Sequence, residues 1–592
     1  MDTVGSGCMS CSIPGMEEAG CIFLFGYNPS ASHPIVSRRI VRAKEKGAKI
    51  IVADPRVIET ARIADIYLPI NNGCNVAFLN AFMNAIVSEN LHDKNFIEEH
   101  TNGFDEWWET IKDYTPESVE HITGVDPELM RQAARMYATA EPSSIVGWGM
   151  GVAQQKQNVL TVHSLAALAC ITGQIGKPNS GLAPVRGQNN VQGSCDMGML
   201  PNLYPGYQKA TDPAVREKFA KAWGVPIERL SDHDGYKLTD VGHNVDEGKV
   251  HAFYNFGEDP LQTEPDAIEL KRQLGDLDLF ICQDIFMTQT TMLADVIFPG
   301  TSWGEHEGVF TASDRTFQRF TAAVPPKGEC KHDWQIFSEL STRMGYPMHY
   351  EDTQEIWDEM RDLCPSFYGA TYEKMEGTGH AQWPIPTVEH PGSPDMYLGG
   401  KFTTPDNRAN LMAHDWEPPT ELPDEEYPLV LCTVREVGHY SCRSMTGNCR
   451  ALSLLAEEPG ELHIHPVDAR NRGIGDGELV RAFSRRGEAM SRAVVDERIN
   501  EGTVYMTYQW WIGKCNNLTL HAVDPRSHTP EDKFSACQVV AIEDQVWAEQ
   551  HLQELYETLK QDLSDLASAQ DVDPAEAARQ RVQEAAGEPV LA

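Results

Sequence analysis

A pattern that occurs twice constrains what this chain can fold into more than any other feature. The apolar run at 21–25 leads into the sequence GYNP, and a second apolar run at 250–254 is soon followed by GEDP. Two aspartates follow each copy in matching register, 28 and 39 residues after Gly26 and 27 and 38 residues after Gly257. These aspartates are Asp54 and Asp65 in the first copy and Asp284 and Asp295 in the second.

The repeated runs indicate the fold class. Short continuous apolar runs are typical of parallel strands buried on both faces, and ligands bind at the carboxyl ends of such strands. The repeat therefore predicts an α/β fold with a duplicated nucleotide-binding domain, and hence two nucleotide moieties in one protein. Two unrelated α/β units with common turn chemistry are the alternative. The first unit lacks the GxGxxG fingerprint of dinucleotide-binding folds.

Helical segments separate the two copies. We expect a helix from about Ile35 to Lys46, before a second strand at 49–53. A mostly helical stretch follows at about 75–140, and it includes a helix with Pro127 at its first position. A further helix is predicted from His163 to Thr172.

The pattern changes near residue 391, where strands and tight turns replace the alternation of strands and helices. Arg485-Arg486-Gly487 predicts a hairpin turn, and the segments 473–480 and 503–510 each predict a strand with its turn. We expect a β-barrel of the double-psi type, followed by a tail that is helical and then disordered. The predicted domains are two related Rossmann-like units at 1–187 and 188–392, the barrel at 393–545 and the tail at 546–592.

Composition excludes several functions. The 592 residues carry 49 Lys and Arg against 87 Asp and Glu, so the formal net charge is −38. Binding to a nucleic-acid backbone or to an anionic membrane surface needs basic patches, so neither is expected. No uncharged apolar run reaches the ~18 residues of a membrane span, and no signal peptide is visible. With 41% hydrophobic residues, the chain can bury several cores.

The cysteines and one cluster of acidic residues and histidine are expected to be structural. Fourteen cysteines are too sparse for a disulfide scaffold, so we expect buried free thiols. Cys8-x-x-Cys11 has no second CxxC pair beside it, which makes it a weak metal signal. Glu305-His306-Glu307 places possible ligands at i and i+2, which do not share a helical face. We therefore expect no metal ligand among these residues.

Two polar segments carry the chemistry that the residues themselves suggest. Residues 184–193, PVRGQNNVQG, place one guanidinium and four amides between small residues. A guanidinium fork suits a carboxylate, and amides can hold the edges of polar rings. Residues 433–441, TVREVGHYS, form a second cluster, where Arg435 and Ser441 favour a ligand-binding turn. A structural polar loop is the alternative for the first segment, and His439 by itself would more often be structural.

Together these segments resemble the molybdopterin oxidoreductase family. The resemblance rests on the GYNP…ADPR…ADIYLPI unit, the GEDP…QDIF…ADVIFPGTSWGEHEGVFT unit, the VRGQNNVQG loop and the TVREVGHYSCRSMTGN turn, and it extends to about residue 555. Within the family the chain is most similar to formate dehydrogenases of the H type, and VRGQNN separates these from nitrate and sulfoxide reductases. The resemblance implies a bis(molybdopterin guanine dinucleotide) cofactor with molybdenum or tungsten, which agrees with a duplicated nucleotide-binding unit.

The resemblance also assigns residues to this cofactor. One dinucleotide would contact Gly26, Asn28, Ser32, Asp54, Arg56, Gly73, Asn75, Gly149 and Gln154. The other would contact Gly257, Glu258, Asp259, Thr263, Gln283, Asp284 and Ser302. Further residues would cover the cofactor, namely Asp333 and, from the barrel, Thr433, Arg435, Glu436, His439, Ser441, Tyr508 and Lys533.

The family's activity gives further expectations. Arg186 would bind the formate carboxylate, and Gln188 would help to place the pterin or the substrate. Formate oxidation yields carbon dioxide, a proton and two electrons, which the metal centre accepts and a 4Fe-4S cluster passes on. The expected partners are formate and an electron acceptor such as a ferredoxin, a hydrogenase module or a diaphorase subunit, in the cytoplasm. The alternatives are another molybdopterin oxidoreductase, which Arg186 and Gln188 disfavour, and a non-catalytic cofactor-binding fragment.

The family's cluster-binding motif has no match in the sequence. Members carry four cysteines in a CxxCxxxC-type arrangement, followed by selenocysteine or cysteine and a histidine. The resemblance here begins just past that point, at 3–7. We therefore expect an upstream segment with a catalytic selenocysteine, and a chain that by itself lacks the cluster and does not oxidise formate. The competing interpretation is a two-gene enzyme whose cluster segment is a separate polypeptide.

Overall fold

Strands and helices alternate through the first third of the chain in the computed structural model, which describes residues 1–456 and 458–568. In chain order the elements are β1 (Cys21–Phe25), α1 (Pro29–Ser32), α2 (Pro34–Glu45), β2 (Lys49–Ala53), β3 (Ile66–Leu68), α3 (Asn75–Ser88), α4 (Lys94–His100), β4 (Thr101–Asn102), α5 (Phe104–Ile111), α6 (Pro116–Thr123), α7 (Pro127–Ala138), β5 (Ser144–Trp148), α8 (Met150–Ala153), α9 (Asn158–Ile171) and β6 (Gly181–Pro184).

The first sheet contains five parallel strands in the order β3-β2-β1-β5-β6. Helices α3, α7 and α9 cover one face with a large apolar core, and α2 covers the other face. Because both faces are buried, the strand sequences are continuously apolar instead of alternating. The predicted strands at 21–25 and 49–53 and the helix with Pro127 at its first position are confirmed.

Two predicted helix boundaries differ from the observed ones. The helix expected from Ile35 begins at Pro34, whose fixed φ suits a first helical position. The helix expected from His163 begins at Asn158. The sequence does not show this earlier start, because the first turn of the helix is polar on the side that meets the barrel. There the Asn158 amide donates to Ser527 Oγ at 3.1 Å.

The middle of the chain repeats the strand–helix motif on a smaller scale. Its elements are α10 (Val191–Asp196), β7 (Leu203–Tyr204), β8 (Gln208–Lys209), α11 (Pro213–Trp223), α12 (Val241–Asp246), β9 (Ala252–Phe256), α13 (Pro260–Thr263), α14 (Ala267–Gly275), β10 (Leu279–Asp284), β11 (Val296–Pro299), β12 (Gly308–Thr311), β13 (Thr316–Phe320), α15 (Asp333–Arg343), α16 (Thr353–Leu363), β14 (Ala381–Gln382) and β15 (Ala409–Asn410).

The second sheet has the same internal order as part of the first. Its three parallel strands run β11-β10-β9, as β3-β2-β1 do. In each unit the aspartate before the third strand accepts a hydrogen bond from a backbone N–H of the second strand. Asp65 accepts from Ile50 at 2.8 Å and Asp295 from Phe280 at 2.7 Å. The repeated aspartates thus occupy equivalent positions, which supports the duplication over two unrelated units.

A closed barrel follows the two α/β units. Its elements are β16 (Leu429–Val434), α17 (Arg450–Ser453), β17 (Glu461–Ile464), α18 (Pro466–Arg472), β18 (Leu479–Phe483), β19 (Glu488–Val495), β20 (Thr503–Thr507) and β21 (Ser535–Ala541), after which comes α19 (Gln545–Ser568). The strand order around the barrel is β16-β20-β17-β19-β18-β21. The hairpin predicted at Arg485-Arg486-Gly487 is confirmed, because β18 and β19 pair antiparallel on either side of it.

The tail begins as a helix that packs on the barrel. Ala548 and Leu552 of α19 are buried against Leu479 of β18. The predicted disorder concerns residues 569–592, which lie outside the described part of the chain. Of the helices within 1–456 and 458–568, none combines the length and the apolar character that a membrane crossing requires.

A buried ion pair holds the segment that follows β16 against the barrel. Arg443 Nη1 lies 2.5 Å from Glu458 Oε1, and only 2% and 9% of their side chains are exposed. The guanidinium also lies over the rings of Trp510 and Trp511, at 4.8 and 4.9 Å from the ring centroids. Glu458 accepts a further bond from the Trp511 N–H at 3.0 Å. The pair therefore joins the 435–456 segment to the end of β20.

Replacing Arg443 with Met should destabilise the chain by about 3–5 kcal/mol, because Glu458 would remain buried without its cation. Arg343→Met is the matched control, since Arg343 pairs with Glu339 on the surface and 72% of its side chain is exposed. We expect that control to change the free energy of unfolding by less than ~0.5 kcal/mol. Urea denaturation of the two variants measures both values, and equal stability would contradict the structural role of the buried pair.

Candidate active site

A cleft opens where the carboxyl ends of the first sheet face the barrel. The cleft and its opening to solvent together span about 1140 Å³. Its walls come from the loops after β1, β2, β3 and β5 and from β16, β20 and the residues before β21. Parallel strands bring their carboxyl ends to one edge, so loops distant in sequence meet there. The predicted cofactor residues that line the cleft are Gly26, Asn28, Ser32, Asp54, Arg56, Gly73, Asn75, Gly149, Gln154, Thr433, Arg435, Tyr508 and Lys533.

Three cationic side chains reach this cleft from different elements. Arg56 lies over the ring of Tyr505 at 5.2 Å, and Arg435 Nε donates to Tyr508 Oη at 2.8 Å. Lys533 Nζ donates to a backbone carbonyl of β16 at 2.6 Å, and burial lowers its pKa. Cations that are desolvated and held by protein partners are suited to bind an anionic group such as a phosphate.

Glycine is required where the loops after β1 and β5 touch. Gly26 has a φ of 54°, and a Cβ there would lie 3.0 Å from the carbonyl carbon of Gly151. A Cβ on Gly151 would lie 2.6 Å from the Gly26 carbonyl oxygen, which accepts the Gly151 N–H at 3.2 Å. Without side chains at this contact, the backbone of both loops stays open to a ligand in the cleft.

Four carboxyl groups lie near one another at the carboxyl ends of β9 and β10, those of Glu258, Asp259, Asp284 and Asp333. Gln283 Nε2 donates to Asp333 Oδ1 at 2.6 Å. Burial raises the pKa of Asp284 to about 6, with the charges of Asp259 and Asp333 acting in the same direction. Burial and the charges of Asp259 and Asp284 likewise raise the pKa of Glu258. Such a cluster stabilises groups that donate hydrogen bonds, such as hydroxyls and ring N–H groups.

The other predicted residues of this half lie at the same edge. Gly257 has a φ of 63° and open space where a Cβ would be. Thr263 Oγ1 donates to the carbonyl of Asp259 at 3.3 Å, and the Ser302 N–H donates to Glu305 Oε2 at 2.8 Å. The structure therefore brings the second predicted set together beside the second sheet.

The two polar segments found in the sequence meet each other. Gln188 Nε2 donates to Ser441 Oγ at 3.3 Å, and the Asn189 N–H donates to Tyr440 Oη at 2.7 Å. Ser441 has a φ of 46°, a left-handed conformation that non-glycine residues rarely adopt. The loop after β6 and the turn after β16 thus meet beside the cleft, which Gly187 and Arg435 of these segments line.

Arg186, in the same loop, directs its guanidinium to the amino-terminal segment. Its Nη1 and Nη2 donate to the carbonyl of Gly7 at 3.3 and 3.2 Å. The Arg186 carbonyl lies 2.7 Å from His33 Nε2 and accepts from Ser313 Oγ at 3.1 Å. The backbone of Arg186 is therefore fixed by two side chains, while its guanidinium contacts the Gly7 carbonyl and the side chain of Cys195.

His439 and Glu436 belong to the frame of the barrel turn. His439 Nδ1 and Nε2 both lie 3.0 Å from protein oxygens, Thr446 Oγ1 and the carbonyl of Ala456. The Glu436 N–H donates to the side chain of Gln509. Their predicted contact with the cofactor stays a prediction, and the structure gives each of them a role in shaping the turn.

Sequence reasoning missed several residues of the site. His33 binds the backbone of Arg186, and Tyr505 carries Arg56 on its ring. Asp532, which directly precedes Lys533, is buried and accepts from Gln154 Nε2, and burial raises its pKa to about 6. The adjacent acidic and basic residues at 532 and 533, just before β21, were the available signal.

The residues considered as possible metal ligands have other partners. Cys8 and Cys11 belong to two different apolar cores, and burial raises the pKa of Cys11 to about 12. Glu305 accepts from Ser302, His306 lies 3.4 Å from Thr301 Oγ1, and Glu307 accepts from Thr353. Both motifs thus contribute to packing and loop structure.

Unpaired acceptors test whether these residues fit the implied cofactor. Four buried side-chain oxygens near the two ligand-binding edges have no hydrogen-bond donor among the described residues. They are Asn28 Oδ1, Asp259 Oδ2, Gln262 Oε1 and Asp532 Oδ1. A buried acceptor without a donor costs about 1–3 kcal/mol. The N–H groups of pterin and guanine rings would supply such donors, so the residues fit a pterin dinucleotide.

The fold and this site define a molybdopterin enzyme. Residues 1–343 match the family described as molybdopterin oxidoreductase, and residues 429–536 match the molydopterin dinucleotide binding domain. The chain therefore belongs to the molybdopterin oxidoreductase family, and the family predicted from the sequence is confirmed.

Similar proteins make the placement more specific. The chain is 55% identical to formate dehydrogenase H of Escherichia coli (strain K12) over 96% of its length and 79% of that protein. It is 41% identical to F420-dependent formate dehydrogenase 1 subunit alpha of Methanococcus maripaludis, over 91% of this chain and 79% of the relative. Acetylene hydratase from Pelobacter acetylenicus has the same fold, with a TM-score of 0.73 at 22% identity over 91% of this chain and 80% of that one.

Asp532→Asn should stabilise the ligand-free chain at neutral pH. A carboxyl whose pKa is raised from 3.8 to about 6 contributes stability that is present below pH 3.8 and is lost as the pH rises through 6. We expect the variant to gain on the order of 1–3 kcal/mol above pH 6 and nothing near pH 4. Unfolding curves across this range measure the gain, with the exposed Asp562→Asn as control. A gain that does not depend on pH would contradict the electrostatic explanation.

Proposed function

We propose that this chain is the cofactor-binding, catalytic part of a formate dehydrogenase that oxidises formate to carbon dioxide, a proton and two electrons. The observation that carries the proposal is that the loop with Arg186 and Gln188 meets the turn with Ser441 beside the cleft, which Gly187 and Arg435 of these two segments line. A guanidinium beside amides and a hydroxyl suits a small carboxylate with one charge to recognise. The similarity to formate dehydrogenases over most of the chain supports the same conclusion.

The predicted residues divide between two dinucleotides in this proposal. One would lie in the cleft, where the cations Arg56, Arg435 and Lys533 would meet its phosphates. The other would lie beside β9 and β10, where the carboxyl groups of Asp259 and Asp284 would accept hydrogen bonds from ribose and guanine. When bound, the molybdenum or tungsten centre supplies an acceptor for two electrons.

Arg186 would anchor the formate carboxylate, and Gln188 would orient it or the pterin. Its guanidinium donates to the Gly7 carbonyl, so formate binding would exchange that hydrogen bond for one to the carboxylate. The hydrogen bond between Gln188 and Ser441 couples the substrate loop to the barrel turn. Closing the cleft with these two segments would exclude water from around the carboxylate and strengthen its interaction with Arg186.

Several finer assignments belong to this proposal. We propose domains at 1–187, 188–392, 393–545 and 546–592, and a cytoplasmic enzyme that passes electrons through a 4Fe-4S cluster to a ferredoxin, a hydrogenase module or a diaphorase subunit. We also propose that the 592 residues by themselves do not oxidise formate. Formate-dependent dye reduction with the purified, cofactor-loaded 592-residue chain tests this, and turnover would contradict it.

Replacing Asp54 or Asp284 with Ala should reduce cofactor retention in each case, because each residue sits at an equivalent strand end of its unit. Guanine and metal content of the purified variants measure retention. Asp65→Ala is the control, since Asp65 precedes β3 and binds the backbone of Ile50 and the side chains of Lys44 and Lys49. Unchanged guanine and metal content in both ligand-side variants would contradict the assignment of two dinucleotides to the two units.

Arg186→Lys should damage formate oxidation in the holoenzyme, because lysine keeps the charge and loses the planar fork. We expect a loss of ~2–4 kcal/mol in transition-state stabilisation, on the scale of removing one electrostatic donor. The measurement is kcat/KM for formate at equal metal content, with the exposed Arg343→Lys as control. If kcat/KM hardly changes, Arg186 is structural and the proposed substrate site is wrong.

A further inference from the structure

The side chain of His33 links the loop after β1 to the loop that carries Arg186. His33 is the residue between α1 and α2, and it lines the cleft. Its Nε2 lies 2.7 Å from the carbonyl oxygen of Arg186, 153 residues further along the chain. Because β5 lies between β1 and β6 in the first sheet, this hydrogen bond spans the carboxyl ends of three strands. Only the folded sheet can form it.

The backbone of His33 has little freedom. Its N–H donates to the Pro29 carbonyl at 2.8 Å, and its carbonyl accepts from the Ser37 N–H at 2.9 Å. Pro34 follows directly and restricts the backbone of the residue before it. The imidazole packs against the ring of Tyr27 in a T-shaped arrangement, with the ring centroids 5.4 Å apart. A ring on such a fixed backbone holds its hydrogen-bond partner in one place.

The partners of the imidazole determine which nitrogen carries a hydrogen. A carbonyl oxygen can only accept, so Nε2 donates to Arg186. Burial, and to a smaller extent the charge of Arg435, lower the pKa of His33 and favour the neutral ring. In that ring Nδ1 has no hydrogen, and Ser32 Oγ lies 2.8 Å away as a donor. The same hydroxyl lies 2.8 Å from the Asn28 carbonyl, a second acceptor. Ser32 therefore supports the tautomer that binds Arg186.

The hydrogen bond orients one peptide group beside the cleft. The Arg186 carbonyl also accepts from Ser313 Oγ at 3.1 Å, so donors from two distant parts of the chain hold it. Because a trans peptide is planar, fixing this carbonyl also fixes the Gly187 N–H on the opposite side. That N–H has no acceptor among the described residues. A Cβ on Gly187 would lie 3.6 Å from Arg435 Nη1, so the peptide group is next to a cation of the cleft.

This peptide group needs external support because glycine forms half of it. Without a side chain, Gly187 gives the backbone little resistance to rotation. On one side of Gly187 the carbonyl of Arg186 binds His33, and on the other side Gln188 Nε2 donates to Ser441 Oγ at 3.3 Å. The loop is thus held at both neighbours of its most flexible residue.

We propose that His33 is a positioning residue of the formate site, which holds the peptide group between Arg186 and Gly187 and thereby sets the direction of the Arg186 side chain. The inference rests on the proposed function, since it takes Arg186 as the formate anchor. His33 itself does not touch formate in this account. It lowers the cost of ordering the loop when formate binds. Loss of its bond to Arg186 should therefore raise KM for formate more than it lowers kcat.

Two substitutions separate the roles of the two ring nitrogens. In His33→Gln the amide N–H lies near the position of Nε2, so it can still donate to the Arg186 carbonyl. In His33→Asn the shorter side chain reaches only the position of Nδ1, so it keeps a partner for Ser32 and loses the bond to Arg186. His121→Asn is the matched control, since His121 is exposed on α6.

Steady-state kinetics of the holoenzyme at equal metal content test the positioning role. We expect His33→Asn to raise KM for formate about tenfold or more and to change kcat less than about threefold. His33→Gln should stay within about threefold of the wild type in both constants, because it keeps the donor to Arg186. Guanine content should be the same in all variants.

Amide exchange in the ligand-free 592-residue chain gives a readout that does not depend on activity. The Val185 N–H donates to the Trp148 carbonyl and the Asn189 N–H to Tyr440 Oη, so both amides are protected on either side of Gly187. We expect exchange at these two amides to be about tenfold or more faster in His33→Asn than in the wild type or His33→Gln. Exchange within β5 should stay unchanged.

The opposing outcomes are distinct. Equal KM values in His33→Asn and His33→Gln, or values in both that match the control, would overturn the inference. A loss of guanine or metal content in His33→Asn that parallels its loss of activity would overturn it too, since His33 would then support the cofactor and not the loop. If the wild-type holoenzyme does not oxidise formate, the proposed function fails. In that case faster exchange in His33→Asn alone would still support the link between His33 and Arg186.

Discussion

Parallel pairing of strands is the constraint on which the site depends. β1 pairs with β2, and β9 pairs with β10, so the loops that carry Asp54 and Asp284 reach equivalent edges of two sheets. In each unit an aspartate before the third strand binds the backbone of the second strand. The barrel then closes over the first edge and brings Arg435 and Lys533 to the same cleft. Without the parallel register, none of these polar groups would converge.

The two ligand edges have opposite electrostatic character. The cleft beside the first sheet carries Arg56, Arg435 and Lys533, whereas the second edge carries Glu258, Asp259, Asp284 and Asp333. Burial strengthens both, because desolvated charges interact more strongly with a bound group than exposed ones do. Both edges are therefore costly to leave without a ligand, and a cofactor that offers phosphates to one and N–H donors to the other would relieve that cost. The cations of the cleft would allow a chain with a net charge of −38 to hold an anionic cofactor, because the charge of the site differs from that of the chain as a whole.

Much of the fold was predictable because the strands of the first unit are buried on both faces. Their continuous apolar runs gave the strands at 21–25 and 49–53 with correct bounds, and a proline at the first turn marked the start of α7. The start of a helix was harder to predict where its first turn is polar and packs against another unit, as at Asn158. The cleft residues of the first unit were found from the family pattern, but the role of His33 was not, because its partner is a backbone carbonyl more than a hundred residues away.

The sequence by itself determined the duplication, the family and the positions of the strand-end aspartates, since these depend on local runs and on spacing along the chain. Only the tertiary structure decided which polar segments meet. Gln188 and Ser441 lie far apart in sequence, and their contact exists because the barrel packs over the first sheet. The exposure of the second sheet was equally hidden, because the apolar run at 250–254 predicts a buried strand, whereas Asn255 is the single buried residue of β9. Whether such a strand is covered depends on what packs against it, and a one-dimensional pattern records only that it is apolar.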